Sequence, residues 1–157
     1  MPFQSTKVYG QELGLSCCFR QPKAIHSHCS KLHGYALGFK FVFEADVLDD
    51  LNWVMDFGGL KVLKFALQET FDHKLVVSGD DPELGLIMKM QQAGVADVLV
   101  FQGGVGCEKF AQRAFQIAVG IVSKLQGGAA NGCGRVRVVS CECSEHGANS
   151  ATYYKEK

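Results

Sequence analysis

Residues 36–47 read ALGFKFVFEADV and set the fold class of the chain. The odd positions are all apolar: Leu37, Phe39, Phe41, Phe43, Ala45 and Val47. The even positions include Lys40, Glu44 and Asp46. Because successive side chains of a strand point to opposite faces, this period of two predicts a strand with one buried face and one polar face.

Patterns on both sides of this strand predict the other elements. Further strands are predicted at 6–19, 95–101 and 135–139, a short extended run at 53–55, and helices at 60–71, 82–94 and 107–125. Because the strands occur in neighbouring pairs and do not alternate strictly with helices, the order favours the α+β class, with an antiparallel sheet and helices on one face. A run of small residues at 127–134 is predicted to be a mobile linker.

Composition excludes several classes of protein. The chain has 157 residues, with 16 Lys and Arg against 16 Asp and Glu, which fits a single domain spanning residues 1–157. There is no basic stripe, so we expect no nucleic-acid partner. No apolar run approaches the roughly 20 residues of a membrane helix, and the first residues lack the apolar region of a signal peptide. We therefore expect a cytoplasmic protein with no membrane partner, whose seven cysteines are reduced.

The densest group of reactive side chains lies between residues 17 and 33. It contains Cys17, Cys18, His26, His28, Cys29 and His33. Imidazole and thiolate are the ligands that suit zinc, so the group as a whole is interpreted as a functional site. The alternative is a mixture of buried thiols and surface histidines, since a free cysteine also behaves as a small apolar residue.

Five segments, in the same order along the chain, carry a family resemblance. CSKLHG at residues 29–34 resembles the Cys-x-x-x-His-Gly-His signature of the bacterial 6-carboxytetrahydropterin synthases, a branch of the 6-pyruvoyl-tetrahydropterin synthase family. The other four are VMDFGGLK at 54–61, FDHKL at 71–75, GCEKFA at 106–111, and the spacing from Glu145 to Tyr153. Each match is weak alone, but five in register are hard to explain by chance.

The resemblance implies both an architecture and a reaction. The architecture is the tunnelling fold, an antiparallel sheet with two long helices on one face. Three such sheets close into a barrel, and two trimers stack into a hexamer, so a homo-oligomer is expected. The substrate implied is a small molecule, 7,8-dihydroneopterin triphosphate, whose triphosphate leaves by elimination. In the 6-carboxy branch, which leads to queuosine, acetaldehyde is lost as well.

The same resemblance implies roles for five residues. Cys29 stands where a thiolate removes a proton from the substrate. Asp72 and His73 match a pair that relays protons, the carboxylate orienting the imidazole. Glu145 matches the carboxylate that anchors the pterin through paired hydrogen bonds, with Glu108 as a second contact. Each role has an alternative. Asp72 and His73 could be a helix-end cap and a surface histidine. Glu108 could complement a helix dipole, and Glu145 could be a solvated loop carboxylate.

The sequence departs from the family at the metal site, which uses zinc held by three histidines. Only His33 is retained, and Phe19 and Tyr35 stand at the other two positions. Three explanations stay open: a zinc site rebuilt from His26, His28 and His33, a metal that is weakly bound or replaced, or a metal-free relative that still binds a pterin. His26 and His28, two residues apart in an extended segment, point the same way, as a rebuilt site requires.

Three functional hypotheses follow from the sequence. The first is a carbon–oxygen lyase of the 6-carboxytetrahydropterin synthase type, and the second is a 6-pyruvoyl-tetrahydropterin synthase. The third is a non-catalytic pterin-binding relative with a decayed metal site. Retention of Cys29, Asp72 and His73 favours an enzyme, because a binder needs neither a base nor a relay. Residues 79–105, which look like an insertion, are interpreted as a lid or an edge contact.

Overall fold

The computed structural model describes residues 1–127 and 134–155. In chain order the elements are β1 (Phe3–Tyr9), β2 (Leu15–Phe19), β3 (His33–Ala45), α1 (Lys61–Phe71), β4 (Lys74–Ser78), α2 (Leu84–Gln92), β5 (Val98–Phe101), α3 (Cys107–Leu125), β6 (Val136–His146) and β7 (Asn149–Tyr154). Three short 3-10 helices lie at Gln11–Leu13, His28–Ser30 and Phe57–Leu60. A sheet packed against helices confirms the α+β class.

The described strands form one seven-stranded sheet, ordered β5-β4-β2-β3-β6-β7, with β1 also paired to β3. The longest strand, β3, pairs antiparallel with β6 along one edge. Along its other edge it pairs with β2 over residues 33–37 and with β1 over residues 39–45. The segment whose alternation predicted a strand is therefore the centre of the sheet.

One face of β3 carries the core. Phe39, Phe41 and Phe43 are at most 1% exposed, as their alternation predicted. The apolar stripes of α1 and α3 complete this core: Leu63, Leu67, Phe71, Phe110, Ala114 and Ala118. Burying a large apolar side chain stabilises the fold by about 1.5–3 kcal/mol. The two long helices therefore lie on the face of the sheet that bears the phenylalanines.

The first predicted strand, at 6–19, is wrong as a single element. It consists of β1 and β2, separated by the 3-10 turn Gln11–Leu13. Gly14 closes that turn in the left-handed region, with φ of 71°, which a residue without Cβ adopts at little cost. The extended run predicted at 53–55 is not a strand either.

The sheet is mixed, not wholly antiparallel. The patterns did not indicate β4, which pairs parallel with both β2 and β5. Parallel neighbours need a crossover connection, and α2 supplies it between β4 and β5. Leu75 and Val77 pack against Ile87 of α2, whereas Val76 belongs to the main core, so α2 covers the opposite face. The segment 79–105 thus adds an edge strand and its covering helix.

Several other expectations concern the chain as a whole. Most of the predicted linker at 127–134 lies outside the described residues. Within the described ranges, six cysteines are free thiols, and Cys133 lies outside them. No helix of the described part is long and apolar enough to cross a membrane. The assignment of residues 1–157 to one domain stays a prediction.

Candidate active site

Cys29 lies on an exposed turn whose backbone is well fixed. The 3-10 helix His28–Ser30 is capped by Ser27, whose hydroxyl accepts a hydrogen bond from the Cys29 N–H at 3.2 Å. The Gln21 N–H donates to the Cys29 carbonyl at 2.7 Å. Because the backbone makes these contacts, the thiol stays exposed to solvent. Cys29 is thus an exposed thiol and not a core residue.

A buried ion pair fastens this turn to the sheet. Arg20 donates to both carboxylate oxygens of Asp81, at 2.8 and 2.6 Å, and to the Ser30 carbonyl at 3.2 Å. The Asp81 side chain is fully buried. The hydrogen bonds from Arg20 hold the pKa of Asp81 below its usual range, and the same bonds raise the pKa of Arg20. Sequence reasoning missed this clamp, although an arginine directly after β2 was a visible signal.

Asp72 and His73 form the hydrogen-bonded pair that the sequence predicted. The His73 Nδ1–H donates to Asp72 Oδ1 at 2.8 Å, which leaves Nε2 free. Asp72 Oδ1 also accepts from the Ser16 N–H at 3.2 Å, and the His73 N–H donates to the Ser16 carbonyl at 2.7 Å. His73 has a φ of 55°, and such non-glycine residues often mark functional positions. The pair is therefore held by β2. Asp72 is also the C-cap of α1 and the His73 side chain is 85% exposed, so the alternative of a helix-end cap and a surface histidine fits the same geometry.

The three positions that the resemblance linked to zinc do meet, but as an aromatic cluster. Phe19 lies opposite His33 in the β2–β3 register, and their ring centroids are 4.6 Å apart. The Tyr35 ring lies 5.6 Å from His33 and 6.3 Å from Phe19. The His33 Nδ1–H donates to the Lys31 carbonyl at 2.8 Å, so Nε2 is its free nitrogen. We call these three residues the aromatic cluster.

Tyr35 is the member of the aromatic cluster that faces the predicted site residues. Burial raises the pKa of its phenol, and the nearby Glu145, Cys29 and Cys107 raise it further. The His146 ring lies 5.9 Å from the Tyr35 ring. His146 is exposed at the end of β6, and its contact with Tyr35 had no signal in the sequence.

Glu145 and Glu108 occupy different settings. Glu145 is half-buried near the end of β6, beside Tyr35, whereas Glu108 is exposed in the first turn of α3. Gly106 precedes that helix with φ of 111°, and a Cβ there would lie 2.2 Å from the Gln21 amide nitrogen. The positive φ favours a glycine just before the helix, and the Gln21 side chain lies close to it. The contact between Gln21 and Gly106 links the turn that follows β2 to the start of α3.

The described residues do not fit a zinc site within one chain. His26 and His28 are exposed, and no group of three His, Cys, Asp or Glu side chains is placed to hold a metal ion in the described part. Phe19 has no donor atom, and a catalytic zinc takes three protein ligands. The rebuilt zinc site of His26, His28 and His33 stays a prediction.

The structure brings some predicted residues together and leaves others apart. Cys29, Glu145 and Tyr35 share one surrounding, at the end of β2 where Phe19 lies. Asp72 and His73 bind Ser16, at the opposite end of β2. Among the described residues no hydrogen bond, ion pair or ring contact joins His73 to Cys29 or Glu145. One chain therefore presents two groups of candidate residues.

Comparison with known proteins gives a family match over most of the chain. The family model described as 6-pyruvoyl tetrahydropterin synthase matches residues 11–156. The 6-carboxy-5,6,7,8-tetrahydropterin synthases of Rickettsia felis and Rickettsia bellii are 40% and 38% identical to the chain over 58 residues. These matches cover 36% of the chain and 42% of each relative, less than half of their length.

Solved structures share the whole fold at low sequence identity. An uncharacterized protein from Wolinella succinogenes has a TM-score of 0.76 and 17% identity, over 99% of both chains. The 6-pyruvoyl tetrahydropterin synthase of Plasmodium falciparum has a TM-score of 0.63 and 16% identity, over 98% of both chains. At these identities the likeness concerns the fold alone, and it confirms the fold predicted for the subunit.

Proposed function

Because this chain belongs to the 6-pyruvoyl tetrahydropterin synthase family, we propose that it is a pterin lyase of the 6-carboxytetrahydropterin synthase type. The proposed substrate is 7,8-dihydroneopterin triphosphate, and the proposed products include triphosphate and acetaldehyde. The observation that carries the proposal is the Asp72–His73 pair, bonded at 2.8 Å and fastened to Ser16. A histidine whose tautomer is fixed in this way presents Nε2 as a proton acceptor, which a proton relay requires.

The proposed chemistry divides between a base and a relay. The Cys29 thiolate removes a proton from a side-chain carbon of the pterin, and its exposed position leaves room for the substrate. Asp72 keeps the Nδ1–H of His73 engaged, so that Nε2 accepts or returns a proton at the neighbouring oxygen. Triphosphate then leaves with the electron pair of its carbon–oxygen bond, and proton transfers leave two adjacent carbonyl groups on the side chain. One water adds to the carbonyl next to the ring, and cleavage of the bond between the two carbonyl carbons releases acetaldehyde and leaves a carboxyl group on the pterin.

The two glutamates are proposed to hold the pterin ring. A carboxylate accepts paired N–H bonds from the amino group and the ring, and such charge-assisted bonds are strong and directional. Glu145 suits this role because it is half-buried beside Tyr35, which shields the bonds from water. Glu108 is exposed at the start of α3 and is proposed as the second contact.

A homo-oligomer built from trimers, and stacked into a hexamer, is proposed as the working form. The two groups of candidate residues lie at opposite ends of β2 and make no mutual contact in the described part of one chain. A site shared between subunits would bring His73 of one copy to Cys29 of another. Light scattering after gel filtration measures the assembly, and a monomer that is active at all concentrations would contradict it.

Product analysis with 7,8-dihydroneopterin triphosphate tests the proposed function. Release of triphosphate and acetaldehyde is the expected result. Triphosphate without acetaldehyde would identify a 6-pyruvoyl-tetrahydropterin synthase instead. The variant Asp72→Asn should lose about 10²–10⁴ of the rate. Asp97→Asn, on an exposed carboxylate paired with Lys74, is the matched control and should keep it.

The second candidate function is a non-catalytic pterin-binding protein. It is favoured by one observation, the presence of Phe19 and Tyr35 where the resemblance places zinc ligands. Binding of neopterin without release of triphosphate by any oligomeric form would support this candidate and contradict the lyase.

A further inference from the structure

The aromatic cluster is packed into the core of the fold. It is not an open space left where zinc ligands are missing. Phe19 is 1% exposed and also packs against Phe110 of α3, with centroids 5.0 Å apart. Its position is fixed by the β2–β3 register, in which it faces His33. A side chain packed from three sides cannot swing away to admit another ligand. The surroundings of His33 are therefore apolar on the Phe19 side.

Two polar groups of the aromatic cluster stay available to a ligand. His33 Nε2 is an acceptor, because its Nδ1–H is engaged by the Lys31 carbonyl. The Tyr35 hydroxyl makes no hydrogen bond within residues 1–127 and 134–155, and it is a donor when protonated. The two rings meet edge to face, at an angle of 86°. An acceptor and a donor on adjoining rings match the needs of two neighbouring hydroxyl groups.

We propose that this chain binds the hydroxylated side chain of its pterin without zinc, through His33 Nε2 and the Tyr35 hydroxyl. One substrate hydroxyl donates to His33 while its neighbour accepts from Tyr35, and the buried Phe19 ring supports both side chains from within the core. The inference rests on the proposed function, since it places a pterin with adjacent side-chain hydroxyls beside Glu145. It assigns Tyr35 a role as a specificity residue that no resemblance gives it.

A pair of ligands separates this inference from the proposed function. Neopterin carries the hydroxylated side chain, whereas 6-methylpterin has the same ring and no side-chain hydroxyl. The variant Tyr35→Phe keeps the aromatic ring and removes only the hydroxyl. We expect it to weaken neopterin binding about fivefold to tenfold and to leave 6-methylpterin binding unchanged. The matched control is Tyr154→Phe, on an exposed side chain of β7.

The outcomes are distinguishable. If both pterins bind and Tyr35→Phe leaves the ratio of their dissociation constants unchanged, this inference is overturned while the proposed function stands. If neither pterin binds the wild-type protein, both are overturned. Glu145→Gln should weaken both ligands equally, which shows that the ring is bound as proposed and that the two effects are separate.

Metal analysis of the same preparation completes the test. The protein is purified in buffers without added zinc, and its metal content is measured by mass spectrometry before and after dialysis against EDTA. We expect far less than one zinc per chain and the same neopterin affinity in both samples. One zinc per chain, whose removal by EDTA also removes neopterin binding, would overturn the inference and support the rebuilt histidine site.

Discussion

The exposed turn that carries Cys29 and the core that holds four buried cysteines place the same side chain in opposite surroundings. Cys29 is exposed, and only its backbone is bonded. The core holds a group that we call the buried cysteines, all at most 8% exposed: Cys17, Cys107, Cys141 and Cys143. The Sγ atoms of Cys107 and Cys143 are 4.0 Å apart. Burial, and not position in the sequence, thus distinguishes Cys29 from the cysteines of the core.

Burial raises the pKa of three of these core thiols. Desolvation raises the pKa of the Cys17 thiol to about 12 and raises that of Cys141 as well. The pKa of Cys143 is raised by its contact with Cys107 and then by burial. Thiols held neutral in this way pack as small apolar groups and take no part in proton transfer at neutral pH. Among the cysteines that the structure describes, Cys29 is the exposed one.

The sharpest test of the contrast is Cys29→Ala. Removing the proposed base should lower turnover of 7,8-dihydroneopterin triphosphate by about 10²–10⁴. Neopterin affinity should not change, because the thiol is not a ring contact. Cys18→Ala, at a half-buried position of β2, is the control and should keep full turnover. Turnover retained by the Cys29 variant would remove it from the role of base.

A second test breaks the fastening of the exposed turn. Asp81→Asn should lower the free energy of unfolding by about 2–4 kcal/mol at neutral pH, as expected for a buried ion pair whose arginine is partly exposed. Denaturant titrations measure it. The control is Asp80→Asn in the exposed pair with Lys23, which should change little. Equal losses in the two variants would contradict a special role for the buried pair.

The same variant has a defined pH dependence. Since Arg20 lowers the pKa of Asp81 in the folded state, the stabilisation is complete above the ordinary pKa of an aspartate. It is lost as the pH falls through the lowered pKa, where the folded state also takes up the proton. The stabilities of the wild type and Asp81→Asn should therefore converge at low pH. A constant difference across the acid range would contradict this account.

A third test concerns Glu145, which is half-buried near the end of β6, between the exposed turn and the core. Glu145→Gln should raise the dissociation constant of neopterin about tenfold to a hundredfold, because it replaces charge-assisted bonds by neutral ones. The control, Glu142→Gln, is on the same strand opposite Lys40 and should bind normally. Normal affinity of the Glu145 variant, measured by calorimetry, would reject it as the ring anchor.

The smallest expected effect comes from a substitution among the buried cysteines. Cys141→Ser buries a hydroxyl at a site that is 0% exposed, which should lower the free energy of unfolding by about 1–2 kcal/mol. Turnover of the folded protein should stay the same. Cys29→Ser provides the opposite control, with unchanged stability in the same denaturant titration. Loss of turnover in a folded Cys141→Ser protein would show that the buried cysteines have a chemical role.

Much of the fold was predictable because its main elements are amphipathic. The alternation around Phe39, Phe41 and Phe43 predicted the central strand, and helical spacing predicted α1 and α3. β4 was missed because LVV within it is buried on both faces, so no alternation marks it. The break in the first strand depended on the left-handed turn at Gly14, which a glycine permits but does not dictate.

The candidate site was predictable only where a motif names adjacent residues. Asp72 and His73 are neighbours in a motif of the family that the chain resembles, and that resemblance implied that the carboxylate orients the imidazole. The clamp between Arg20 and Asp81 joins residues far apart in sequence, so it depended on the packing of α2 against β4. The contact of His146 with Tyr35 likewise followed from strand register.

The sequence by itself determined the α+β class, the central strand, the family and the identity of the candidate residues. It did so because periodicity and short motifs are local properties of the chain. Only the tertiary structure decided that Cys29 is exposed while Cys17 is buried, and that Phe19, His33 and Tyr35 form one cluster. Burial and contact across strands depend on register and packing, which no single segment contains.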